Sequence, residues 1–344
     1  MYILRVIYEK AINIGNWSLF IFTILFMAMS VIGIQWIEPE TFDLMSALWW
    51  VMTTSTTVGY GDISPVSAGG QWFTMLFVYP IGIGIIGVVI SKILDSMLHY
   101  KQAKEEGRLL FKETNHTVFI GWADGKTQSA VEELLTNNNT HVVLIDRNLD
   151  KSPFHHERFH YIRGSATDEQ TLKNANVLEA KTVGIFAPQD IEDLDLADGR
   201  TYLIASTIEA YGEKHGKPIY TIAEIMSDKH EELFSRAGIN ECIPSYQSVS
   251  NLIAKSAEYH GSSTFFMQLL SKQYGDDLHL IPRKDKWRTY RQARDELDKH
   301  GAILIADETS FLTEGWDEPI RAHTKLAVIC NQEAYEKIMK EYAS

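Results

Sequence analysis

Two long stretches of this chain carry no charged side chain: Trp17–Ile37, which is 21 residues, and Trp72–Ser91, which is 20. At about 1.5 Å of rise per residue, each spans the roughly 30 Å hydrocarbon core of a bilayer. The pattern predicts two membrane-crossing helices, over 17–37 and 72–98. Between them Thr41–Thr54 is apolar and helix-prone but only 14 residues long, too short to cross. It is predicted as a re-entrant helix capped by Thr41, with Asp43 in its first turn near the positive end of the dipole. Such a segment is tolerated at membrane depth only where protein buries it.

Past residue 114 the periodicity changes. Short apolar, β-rich runs at Thr117–Gly121, His141–Asp146, His160–Arg163, Thr182–Ala187, Ile219–Glu224 and Glu241–Ile243 alternate with helical patterns. The helices fall near Lys126–Asn137, Asp168–Ala175, Asp193–Tyr211 and Asp228–Ala237. This alternation predicts a doubly wound parallel sheet, which binds ligands at the carboxyl ends of strands where the strand order reverses. Two further strands, near Ala302–Asp307 and Lys325–Cys330, belong to a smaller α/β part. The expected fold class is membrane α followed by a Rossmann-like α/β domain with a small α/β C-terminal subdomain. The expected divisions are a membrane part over 1–98, a polar linker over 99–114, a Rossmann-like domain with a helical crossover over 115–275, and the subdomain over 276–344.

Charge placement orients the membrane part. No Lys or Arg occurs from Ala11 to Ser91, whereas Arg5, Lys10, Lys92, Lys101, Lys104 and Arg108 lie just outside. By the positive-inside rule both termini are cytoplasmic, in a cell (inner) membrane, and the segment between the helices faces outward. That segment carries only acids (Glu38, Glu40, Asp43 and Asp62), expected to gather cations. A cleaved signal peptide does not fit, because residues 17–37 are too long and lack a small-residue cleavage site. The net charge of −13 argues against a nucleic-acid partner. Cys242 and Cys330 fall far apart in the cytosolic part, where reduced thiols are the default. His155, His156 and His160 lack zinc spacing and are read as surface residues.

The short helix leads into Thr56-Thr57-Val58-Gly59-Tyr60-Gly61-Asp62. Gly59 and Gly61 permit the positive φ angles that turn backbone carbonyls toward an axis, and the Thr57 hydroxyl adds a further oxygen. Oxygens so arranged replace the hydration shell of K⁺. With its flanks, over about residues 15–98, the string resembles the pore of tetrameric two-helix potassium channels. The resemblance implies K⁺ held by Thr57, Val58, Gly59 and Tyr60, with Gly61 and Asp62 completing the filter. It implies a homotetramer in membrane lipid, since one loop supplies a quarter of each carbonyl ring. It also implies that Trp49 and Trp50 pack behind the filter near Tyr60. Some members pair the filter aspartate with a glutamate on the short helix; Thr53 stands there in this chain, so Asp62 needs another partner.

Within the second membrane helix, Pro80 removes a backbone bond and Gly82, Gly84 and Gly87 lower stiffness, which marks a candidate bending point. The resemblance implies that Gly82 is the gating hinge and that Gly87 lies where inner helices converge. Close helix packing through small residues is the competing reading.

The first strand-to-helix turn of the cytosolic part reads Gly121-Trp122-Ala123-Asp124-Gly125-Lys126, against a dinucleotide fingerprint of G-x-G-x-x-G. The first glycine is in place; Ala123 and Lys126 occupy the other two positions, and Lys126 is expected to spoil the close helix–sheet contact. Asp146 ends the second strand where a ribose-binding acid belongs. Arg147 beside it can meet a phosphate or stack on adenine, and Gly164, Ser165 and Ala166 add polar edges to the same crevice. Gly121, Trp122, Ala123, Asp146, Arg147, Gly164, Ser165 and Ala166 are the expected binding set for NAD(H), ADP, ATP or AMP.

The Gly121-Trp122 turn, together with the Gly164…Asp168 turn, resembles RCK (regulator of K⁺ conductance) domains over about 115–260. The resemblance implies a ring of such domains, with or without further RCK subunits, that binds nucleotides or divalent cations and pulls on the inner helices. Some calcium-gated relatives use paired acids on the strand matching Ile219–Met226. Glu224 is kept here as a candidate divalent ligand, but Met226 replaces the second acid, and Ca²⁺ wants six or more oxygens. The acidic run Asp190, Glu192, Asp193, Asp195 and Asp198 reads as a solvated helix N-terminus. The expected function is therefore a K⁺-selective channel gated by a cytosolic ligand. A membrane-tethered nucleotide-binding oxidoreductase and a regulatory subunit of a K⁺ transporter are the competing classes. The first lacks a catalytic set in this sequence, so no enzyme is expected; the second needs no filter of its own.

Overall fold

The structure is a computed structural model that describes residues 15–136, 139–271, 275–308 and 310–341. Arg5, Lys10, Asn137 and residues 342–344, on which parts of the sequence reading fell, lie outside the described residues. The chain divides into two compact units, Met1–Ala103 and Lys104–Ser344.

In the first unit, α1 (Asn16–Ile37) and α3 (Ala68–Glu105) are both long and apolar enough to cross a membrane, and α2 (Leu44–Ser55) lies between them. Phe26, Ile34, Phe42, Trp50, Val51 and Val78 form the core of this unit. The cap of α2 is Asp43, not Thr41. Its carboxylate accepts the Ser46 N–H at 2.7 Å, and the Ser46 hydroxyl accepts the Asp43 N–H at 2.9 Å, a reciprocal box that satisfies two otherwise orphaned donors. The helix expected to end at 98 runs on to Glu105, so the first half of the expected linker is helical. Near its start α3 contains a π-helical turn, Thr74–Val78, closed by the Tyr79 N–H on the Thr74 carbonyl. The extra residue accommodates Pro80, whose ring lacks an N–H and crowds the carbonyl four residues back in a regular helix.

In the second unit six parallel strands lie in the order β3-β2-β1-β4-β5-β6: β1 (His116–Ile120), β2 (Val142–Asp146), β3 (Phe159–Arg163), β4 (Ala180–Ile185), β5 (Thr221–Ile225) and β6 (Glu241–Pro244). Their near-continuous apolar runs reflect burial on both faces. Alternate residues of β2 feed two cores. Val143 and Ile145 pack with Leu172, Ala205 and Ile208, while Val142 and Leu144 pack with Val131 and Leu135. The covering helices are α4 (Lys126–Leu135), α5 (Glu169–Asn174) and α6 (Leu194–Lys214), with α7 (Glu231–Arg236) before the last strand. The strand order reverses at β1, which pairs with β2 on one side and β4 on the other. Helices α8 (Ser245–Glu258) and α9 (Ser262–Leu270) lead to a three-stranded antiparallel sheet, β7-β9-β8. Two of its strands, β8 (Ile303–Asp307) and β9 (Lys325–Asn331), match the sequence reading; β7 (Asp276–Pro282) was not anticipated. Helices α10 (Tyr290–Leu297) and α11 (Gln332–Lys340) complete this subdomain around Trp287, Ile281, Val328 and Ile338.

Candidate functional site

The first candidate site is the loop that leaves α2. Left-handed backbone falls at every second position, with φ of +60° at Thr57, +47° at Gly59 and +75° at Gly61. That alternation lets successive carbonyls face one side, where an ordinary strand points them to two. Glycine meets the requirement at no cost; Thr57 meets it as a β-branched residue, so the surroundings must hold it there. The α2 end does so. The Val58 and Gly59 N–H groups both donate to the Thr53 carbonyl at 3.0 Å, and the Thr57 N–H donates to the Thr54 carbonyl at 3.0 Å. The Thr53 hydroxyl turns back to the Trp49 carbonyl at 2.9 Å and leaves Asp62 alone.

Asp62 instead accepts the Trp49 Nε1–H at 3.0 Å, and the Trp49 ring lies parallel to Tyr60, 5.7 Å between centroids. The two tryptophans therefore divide. Trp49 braces the loop that leaves α2, while Trp50 is buried against Phe42, 5.2 Å away. Glu38, read as a cation-gathering acid, is buried and takes the Val66 and Ser67 N–H groups at 3.1 and 2.8 Å, tying the end of α1 to the start of α3. On α3, a Cβ added at Gly82 would lie 2.9 Å from the Ser55 hydroxyl and 3.2 Å from its Cα, whereas Gly84 and Gly87 meet nothing within 4 Å. The Gly82 backbone thus packs directly on the last residue of α2.

The second candidate site is a cavity of about 220 Å³ at the carboxyl ends of β1, β2 and β4. It brings together Gly121, Trp122, Ala123, Asp146, Arg147, Gly164, Ser165 and Ala166, all of the residues singled out in the sequence. It also takes in Thr167 of the Gly164…Asp168 turn, and recruits Arg200 and the turn after β4, which sequence reasoning missed because the fold, not spacing, delivers them. Gly121 has φ of +88°, and a Cβ there would press on the Phe186 carbonyl at 3.3 Å, so the turn needs glycine. The Asp146 carboxylate is held by the Trp122 N–H at 2.8 Å and the Asn148 N–H at 2.7 Å. Lys126 does not simply disrupt the turn. Its ammonium reaches both oxygens of Glu224, at 2.8 and 2.7 Å.

That contact gives Glu224 an internal partner. The same buried carboxylate accepts the Ala187 N–H at 2.9 Å and the Ser245 hydroxyl, so its lone pairs serve an internal charge pair. Among the described residues no three His, Cys, Asp or Glu side chains cluster in a way that could hold a metal ion. The acidic run is put to structural use at two points. Asp193 caps α6, and buried Asp198 accepts the Met226 and Ser227 N–H groups and binds His230 Nδ1 at 2.7 Å.

The segment between α3 and β1 is docked rather than loose. The Arg163 N–H donates to the Gly107 carbonyl at 3.0 Å, and buried Phe111 donates its N–H to the Asn174 carbonyl at 2.9 Å. The Phe111 ring meets His116 at 4.6 Å and His160 at 5.3 Å between centroids. His160 is therefore half-buried under Phe111, unlike exposed His155 and His156. Burial lowers the pKa of both His116 and His160.

Comparison with known proteins agrees with this division. The ion-channel family matches residues 16–99, and the TrkA-N domain family matches residues 120–245. The chain thus resembles, in order, an ion-channel domain and a TrkA-N domain over those residues. It is similar to the calcium-gated potassium channel TvoK of Thermoplasma volcanium, 30% identical over 237 residues, 68% of this chain and 65% of that protein. It is also similar to the putative potassium channel protein YugO of Bacillus subtilis, 32% identical over 217 residues, 62% of this chain and 63% of that protein. The chain thus spans somewhat under two thirds of each of these relatives, 65% and 63%. Among solved structures, the GsuK channel bound to NAD aligns with 91% of this chain and 56% of its own, at 16% identity and a TM-score of 0.48.

Proposed function

We propose that this protein is a K⁺-selective channel, assembled as a homotetramer and gated by a nucleotide bound to its cytosolic TrkA-N domain. The observation that carries the reading is the braced filter: left-handed backbone at Thr57, Gly59 and Gly61, fixed from behind by the Thr53 carbonyl and by Trp49 on Asp62 and Tyr60. Carbonyls held this way replace the water of K⁺, and four copies close the rings. Val58 and Tyr60 are more than half exposed in the single chain, which suits a segment that faces other copies. The charge distribution supports a cytoplasmic position for both termini.

The ligand proposed is an adenine nucleotide at the Gly121–Asp146 crevice. Asp146 stands at the carboxyl end of β2 with its carboxylate oriented by backbone donors, as ribose recognition requires. TvoK is named a calcium-gated channel; here the Lys126 ammonium engages both oxygens of Glu224, which speaks against a divalent ion at that carboxylate. A ligand opens or closes the pore only by as much as it prefers one state of the ring. The test is K⁺ flux from proteoliposomes holding the full chain, with ADP, ATP, AMP or NAD(H) supplied on the cytosolic side. Flux that responds to at least one of them is expected; flux that ignores all of them contradicts nucleotide gating.

A further inference from the structure

In the crevice where the nucleotide is placed, three donors of the β1–α4 turn that could meet a pyrophosphate are already engaged. The Trp122 N–H donates to Asp146 at 2.8 Å, the Ala123 N–H donates to the Thr127 hydroxyl at 2.9 Å, and the Lys126 ammonium is shared between the two oxygens of Glu224. Ala123 also stands where a dinucleotide site keeps a glycine for close approach of the pyrophosphate. Among the described residues, the cationic side chains that line the cavity are Arg147 and Arg200. They approach from opposite sides of the strand reversal: Arg147 follows β2, and Arg200 sits in the second turn of α6, after β4. The Arg200 side chain is 30% exposed, and its nearest carboxylate, on solvated Asp190, is 3.8 Å away, beyond hydrogen-bond range. Asp190 lines the same cavity, but its long, solvated ion pair leaves the half-buried Arg200 guanidinium without a hydrogen-bonded carboxylate, and its planar fork is suited to phosphate oxygens.

Building on the nucleotide reading above, we infer that Arg200 is the phosphate anchor of this site. The site then takes a nucleoside mono- or diphosphate whose phosphates extend toward α6, in preference to a dinucleotide laid across the β1–α4 turn. Asp146 holds the ribose end, and Arg200 holds the charge.

The test is calorimetric titration of the full-length wild type, Arg200→Ala and Arg200→Lys with ADP, adenosine and NAD⁺. Wild type is expected to bind ADP at least roughly tenfold tighter than NAD⁺. Arg200→Ala is expected to weaken ADP by about tenfold or more, the size of a lost charge-assisted phosphate contact, while adenosine stays within about twofold. Arg200→Lys recovers part of the ADP affinity, since a point charge replaces the fork. ADP affinity unchanged in Arg200→Ala, with nucleotides still bound, overturns the anchor and leaves the nucleotide site standing. Loss of adenosine together with ADP overturns it as well, because the arginine then acts on the fold of the site. NAD⁺ bound as tightly as ADP overturns the mononucleotide preference. Failure of all three ligands to bind wild type overturns the nucleotide site itself, and the anchor with it.

Discussion

Trp49 is a side chain that holds the proposed filter from behind. It stacks on Tyr60 and donates to Asp62, and so replaces the glutamate whose position Thr53 occupies. Trp49→Phe keeps the stacking ring and removes the donor. Hydrogen bonds to charged groups contribute about 1.5–3 kcal/mol when sheltered, and Trp49 is partly exposed, so a loss of about 1 kcal/mol is expected. Single-channel recording of the variant checks this: filter closures become roughly fivefold more frequent, with unitary conductance kept. The filter string itself was legible at the level of single residues, because few other roles require that sequence of glycines, threonine and tyrosine. Its bracing was not, since a bond between residues 13 apart exists only once α2 and the loop are folded. Glu38 was misread for the same reason. Its charge was visible in the sequence, but its burial under the Val66 and Ser67 amides was not. Glu38→Gln keeps the shape and weakens those contacts. It is expected to lower the heat stability of the assembled channel, measured as loss of the oligomer on warming, with ion selectivity unchanged.

At the level of elements, α3 combines a π turn, a proline and three glycines in little more than three turns. The glycines are not equivalent. Gly82→Ala drives a Cβ into Ser55 at the base of the filter, whereas Gly84→Ala meets open space within the chain. Gly82→Ala is therefore expected to change open probability severalfold and to disturb filter stability together with gating. Gly84→Ala serves as the comparison in the same bilayer recordings. A hinge predicts altered gating alone; the packing seen here predicts both effects. The docked segment ahead of β1 responds to pH. Burial lowers the pKa of His116 and His160 below the ordinary 6.5, aided by His141 and Lys104 respectively and opposed by Glu113 in both cases. The folded state therefore takes up these protons less readily than the unfolded chain, so the stability contribution is present above pH 6.5 and lost as pH falls below it. Hydrogen exchange of residues 107–116 is expected to accelerate as the pH is lowered from 7 toward 5, and the Phe111→Ala variant is expected to exchange fast at both pH values. Most strands were readable from their β-branched runs. The β7 strand was not, because it opens on Asp276 and Asp277 and pairs at the edge of a small sheet. The π turn left no sequence signal beyond the proline that follows it.

Taken as a whole molecule, the chain carries the proposed ion filter and the proposed nucleotide crevice on one polypeptide, with α3 and the docked segment after it as the covalent route between them. The alternation of strands and helices was enough to read the sheet, and the position of Asp146 was enough to find the crevice. The contribution of α6 to that crevice, through Arg200, needed the strand reversal to be seen in three dimensions. The fate of Glu224 needed its meeting with Lys126, 98 positions away in sequence. Ion selectivity is the central claim, and the reversal potential tests it most directly. The full-length protein is recorded in planar bilayers with K⁺ on one side and Na⁺ on the other. A filter whose carbonyls replace the water of K⁺ gives a reversal potential far from zero, set by K⁺ and poised at a K⁺/Na⁺ permeability ratio well above ten. A reversal potential near zero, with a permeability ratio near one, contradicts it.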